Sequence, residues 1–178
     1  MEEIVFSNYT VDFVRVAVEY CAFVEKCKAS SKAVFVNNAV RILPLLYLKA
    51  SIMPDNEDFY DSQLEVKVTE ALYSQVQENV AALLGEDDLY LETFHPEITF
   101  SDTPVAVKVS EDLADIYQDL GNFIAVFKNG NKETMNDSLV ECLRNFKEYW
   151  GQRLLNALKT LHHIKYRDPR IDEEVERL

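Results

Sequence analysis

Glycine is scarce in this chain: four in 178 residues, beside five prolines. So few turn formers exclude a fold rich in tight hairpins, and no glycine-rich loop is present to cradle a phosphate. Cysteine is scarce too. Cys21 and Cys27 sit six apart on one predicted helix, about 240° around its axis and too divergent for a disulfide, while Cys142 lies far along the chain. An odd count without a pattern reads as reduced thiols in a cytoplasmic setting. Positive charge is also short, with 18 basic against 31 acidic residues and a formal net charge of −13. No basic stripe offsets that balance, so nucleic acid and anionic membrane surfaces are not expected as partners. The start, Met1-Glu2-Glu3-Ile4, is acidic where a secretory leader would be basic, and the run Ile42–Leu48 is too short to span a bilayer.

What is present is helical periodicity. The length suits a single domain over residues 1–178 that buries a core without staples. We read an all-α, mostly antiparallel bundle of about five long helices, with a long loop between the third and fourth. The first runs from about Thr10, as N-cap, to Ala29. Ser30-Ser31 breaks it and caps a second, over about 32–53, in which the apolar period persists on both sides of Pro44. A continuous but bent helix is predicted there, with a hinge as the functional alternative. After an acidic connector, the third covers about 62–84 and ends at Gly85, where a left-handed cap is wanted.

From Glu86 to Val109 the helical period is lost, and Val105–Val109 alternates as a short extended segment does. The fourth helix starts at Ser110-Glu111-Asp112 and ends at Gly130; the fifth and longest covers about 132–164. The tail, 165–178, breaks at Asp168-Pro169 and can dock Ile171, Val175 and Leu178 as a short helix.

Chemistry has few footholds. Asp112, Asp115, Asp119 and Asn122 share an arc of about 80° on the fourth helix, at the edge of its apolar stripe. Clustered carboxylates at a bundle edge are what Mg²⁺- or Mn²⁺-dependent hydrolases of phosphorylated small molecules use, and Glu148 on the fifth helix is the nearby donor. The plain alternative is a solvated face in which Asp119 pairs with Arg144 or Lys147. No second paired-acid motif accompanies the row, so no catalytic constellation is identified and no cofactor is expected outside the metal alternative. His162 and His163 diverge by about 100° and cannot easily share an ion. His95, in the long loop, and Tyr149, at the margin of the Phe146–Trp150 aromatic cluster, are the candidates to line a pocket.

Two segments carry a family likeness: Ser110–Leu120, SEDLADIYQDL, and Asn145–Leu154, NFKEYWGQRL, continuing to Leu161-His162. With them the chain resembles domain-of-unknown-function family 5063, uncharacterised, mainly bacterial, all-helical proteins frequent in Bacteroidetes. The resemblance implies a helical bundle of bacterial, cytoplasmic origin and brings no activity or catalytic residue with it. Abundant helical apolar surface without a catalytic motif points to a non-enzymatic interaction module, possibly self-associating, with the metal hydrolase as the rival.

Overall fold

In a computed structural model, residues 4–57, 64–92, 105–171 and 175 are described. Helix α1 covers Asn8–Glu25, α2 Lys32–Ser51, α3 Glu70–Leu84, α4 Val109–Asn129, α5 Lys132–Asn145 and α6 Gly151–Arg167. The π-helical segment Phe146–Trp150 joins α5 to α6, so the predicted fifth helix is one rod from 132 to 167. Two short strands, β1 (Leu89–Glu92) and β2 (Val105–Lys108), pair antiparallel with Leu89 opposite Lys108. The second is the extended segment expected from alternation; the first falls in the stretch read as loop.

Caps explain where the helices begin. Ser7, not Thr10, starts α1 by accepting from the Thr10 amide, while the buried Thr10 hydroxyl donates to the Ile4 carbonyl at 2.7 Å. Ser31 caps α2 as expected. The third helix starts eight residues later than predicted. Thr69 is its N-cap, and the amides of Lys67 and Val68 instead donate to Asn122 Oδ1 at 2.8 and 2.7 Å. A side-chain acceptor on α4 thus draws the preceding backbone out of helix. Gly85 closes α3 at φ 62°, a backbone only glycine adopts freely. The start of α4 is capped from a distance: buried Asp88 accepts both the Ser110 amide and hydroxyl at 2.7 Å.

Helix α2 continues through Pro44. By length and mean hydropathy of 1.2 it could cross a membrane, yet residues such as Phe35, Ala39, Leu43 and Leu46 are buried. Those are the burial habits of a core helix packed between α1 and α6. One apolar core runs through all the long helices, with Phe13, Phe35, Leu113, Leu120, Trp150 and Leu154 fully buried. The Trp150 indole donates to the Cys142 carbonyl at 3.0 Å. Ile171 is buried and Val175 packs against the same core, so the tail docks at those points. All three cysteines are free and buried, and burial pushes the Cys21 thiol up to about 12.

Candidate functional site

The acidic row of α4 does gather at a polar centre, though with partners other than those predicted. Asp112 lies at the first turn of α4, fully buried where the helix meets β1 and α6. The Tyr90 hydroxyl of β1 donates to its Oδ2 at 2.5 Å, and the Arg153 guanidinium of α6 meets its Oδ1 at 3.3 Å. One turn on, Asp115 accepts Tyr73 of α3 at 2.9 Å on Oδ1 and Tyr149 at 2.6 Å on Oδ2. Arg153 Nε stands 3.8 Å from the same Oδ2. Its guanidinium also lies against the Tyr149 ring, 5.1 Å from the centroid, a cation–π contact. Arg153 Nη1 is further 3.9 Å from Glu92 Oε2. One cation therefore faces three carboxylates drawn from β1 and α4, with three tyrosine hydroxyls around them.

Electrostatics follow from that burial. Desolvation pushes the Asp112 carboxyl up to about 7, although Tyr90 and Arg153 favour its charged form. Burial, followed by donation to carboxylates, raises the phenols of Tyr73 and Tyr90 and lifts Tyr149 to about 12, so all three act as hydrogen-bond donors at neutral pH. Asp119 sits two turns along α4 from Asp112, and burial raises it to about 6; Asn145 bonds it at 2.7 Å.

Two expectations need correcting here, and one residue was missed. Asp119 takes an amide from Asn145, whereas Arg144 bonds Glu141 at 2.6 Å and Lys147 pairs with Asp55. Glu148 is exposed and stays outside the cluster. Arg153, the residue that organises the centre, was not anticipated. The reason is the π segment, whose extra residue rotates the rest of the rod by about 100° relative to a uniform α-helix. That rotation turns Tyr149 and Arg153 toward Asp115 and leaves Glu148 in solvent. Gly151 makes the segment feasible, since a Cβ there would press into the Phe146 carbonyl oxygen.

As chemistry, the arrangement is a carboxylate cluster whose charge is partly offset from within by one guanidinium. A guanidinium already stands where a divalent cation would have to bind, and its charge opposes one. Among the described residues no group of three or more His, Cys, Asp or Glu side chains is placed to hold a metal ion. Tyr149 reaches Asp115 and lines neither of two cavities, of about 290 and 250 Å³. His95 lies outside the described residues. The larger cavity is bounded by β1 and α6 and includes Glu92, Asn156, Lys159 and His163.

The comparisons with known proteins agree with this architecture. The family model for a domain of unknown function, DUF5063, matches residues 4–167. Among solved structures, the chain is similar to the crystal structure of protein BF1032 from Bacteroides fragilis, at 44% identity and a TM-score of 0.82. That likeness covers 93% of this chain and 97% of the other. No curated protein matches the chain.

Proposed function

The chain belongs to this domain-of-unknown-function family, and from that premise we propose that it is a non-enzymatic helical interaction module that pairs with a second copy of itself. The supporting observation is an apolar strip on the outer face of α1 and α2. Val11 and Val18 on α1, Leu45 and Leu48 on α2 and Ile52, the residue that caps its end, are each 39–52% exposed. The two helices run antiparallel, since Asp12 pairs with Lys49 at 2.8 Å and Phe23 stacks on Phe35. Spacings of i, i+7 on α1 and i, i+3, i+7 on α2 bring all five to one side of that ion pair. Exposed Arg15 and Glu19 on α1 and Arg41 on α2 edge the strip with both signs of charge. A surface that is apolar at its centre and edged with both signs can face itself across a two-fold axis.

The setting is a cytoplasmic one, where three free, buried thiols stay reduced. With a net charge of −13 the module pairs with protein, not nucleic acid or an anionic bilayer. The rival reading, a Mg²⁺ or Mn²⁺ hydrolase using Asp112, Asp115, Asp119 and Glu148, has the Arg153 guanidinium against it. Sedimentation velocity over a wide concentration range tests the proposal. The wild-type chain is expected to dimerise on concentration. Leu48→Glu is expected to stay monomeric with an unchanged Tm, because its side chain is already 52% exposed. A wild-type chain that remains monomeric throughout, or a variant that associates as well as the parent, would overturn it.

A further inference from the structure

The cavity between β1 and α6 follows the free edge of a strand. β1 has β2 on one side only, and among the described residues nothing bonds to its backbone from the other. In an antiparallel pair every second residue turns its amide and carbonyl away from the partner, so β1 offers an unused set of main-chain groups there. Leu89, Tyr90, Leu91 and Glu92 wall the cavity in succession. Successive side chains point to opposite faces, so a hollow that touches all four runs along the edge and not over one face. Natural edges are guarded by lysine or proline, and the strand Leu-Tyr-Leu-Glu carries neither.

Helix α6 forms the other wall. Arg167 bonds Asp87 at 2.8 Å and Asn156 bonds Glu92 at 2.9 Å, so helix and strand run antiparallel and are pinned at both ends. Asn156 and Arg167 stand about 16 Å apart along α6, a span that about five residues of extended chain match. Those two bonds also engage the acids of the wall. Between them Lys159 and His163 are exposed, with no acidic partner among the described residues. On the outer face of β1, Leu89 and Leu91 are 60% and 62% exposed. Their neighbours across the pair are Lys108 and Ala106, so neither leucine has an apolar neighbour of its own size there.

We propose that this edge accepts an extended acidic peptide of a partner protein as an added strand, with aliphatic side chains beside Leu89 and Leu91 alternating with carboxylates turned onto Lys159 and His163. The pleat dictates the alternation. Residues abreast of Leu89 and Leu91 share their outer face, and residues abreast of Tyr90 and Glu92 point inward, the side on which Glu92 meets α6. Main-chain bonds to β1 supply affinity, and the alternate side chains supply the choice of sequence. The surface is separate from the α1–α2 face, and nothing in it depends on self-association.

The probe is the peptide Val-Glu-Val-Glu-Val, acetylated and amidated so that its ends carry no charge, titrated calorimetrically into the full chain up to millimolar concentration. The chain is expected to bind it, and to bind Val-Lys-Val-Lys-Val at least ~tenfold more weakly. Two further peptides carry N-methyl groups on the valines alone or on the glutamates alone. Amides of alternate residues face opposite edges, so one of these peptides should lose at least ~tenfold and the other should bind nearly as well as the parent. Lys159→Glu, a surface change whose folding a thermal melt checks, should weaken the glutamate peptide and strengthen the lysine one. No binding of the glutamate peptide, equal effects of the two methylations, or full affinity in Lys159→Glu would overturn the proposal. So would a dimer that survives Leu48→Glu and dissolves as peptide is added, because the occupant of the edge would then be a second copy's β1.

Discussion

Replacing Asp112 by asparagine removes a charge from the most buried point of the polar centre while keeping the side chain's shape. In the folded chain this carboxyl titrates near 7, against 3.8 for an exposed aspartate. Over that window the folded state holds a proton that the unfolded chain has released, so stability falls as pH rises and levels off above about 7. The span is about three pH units, which at ~1.4 kcal/mol each amounts to ~4 kcal/mol in all. Sampled between roughly pH 5 and pH 8, about 2–3 kcal/mol of it is visible. Asp119, raised to about 6 by burial, adds in the same sense and survives the substitution. Asp12, Asp55, Asp87 and Asp168 are lowered by basic partners, so their contributions are lost only as pH falls below the ordinary carboxylate range. Urea unfolding followed by the single, fully buried Trp150 reads the difference. The wild-type chain should lose stability from roughly pH 5 to pH 8, and Asp112→Asn should lose at least ~2 kcal/mol less of it. Equal slopes in the two chains would refute the reasoning, as would a wild-type chain that grows more stable over that range.

Two further substitutions test the helical framework by urea unfolding. Pro44 is exposed within a continuous α2, so Pro44→Ala should restore an amide to the Val40 carbonyl and stabilise by about 1–2 kcal/mol; destabilisation would count against an unbroken helix there. Gly151→Ala would press a Cβ onto the Phe146 carbonyl and ring and should cost about 1–3 kcal/mol despite alanine's better helix propensity. A stabilised variant would show that the π segment does not depend on glycine.

Periodicity reached the long helices because each buries a broad stripe, and the boundaries read at Ser31 and Gly85 carry local capping chemistry. It failed at residues 64–69, where Asn122, more than fifty residues away, takes the amides that a helix would have used. The acidic row was legible as a row, but its partners were not. Tyr73, Tyr90 and Glu92 arrive from α3 and β1, and no local pattern links them to α4. Arg153 was hidden by assuming a uniform helix from 132 onward. A signal did exist: buried Cys142, Phe146, Trp150 and Leu154 are spaced by three successive steps of four. An α-helix alternates threes with fours, so that run contains about one residue too many for three turns. Reading it as a π segment would have turned Arg153, instead of Glu148, toward Asp115.

The central claim is that Arg153, one cation held against Glu92, Asp112 and Asp115, occupies the acidic centre in place of a divalent ion. Titrating the purified, chelator-treated chain with Mn²⁺, with Tm and bound metal measured on the same samples, tests it most directly. The account predicts an unchanged Tm and no stoichiometric Mn²⁺. One Mn²⁺ retained per chain, with a Tm that climbs as the metal is added and an Asp112→Asn variant that loses both effects, would contradict it and restore the hydrolase reading.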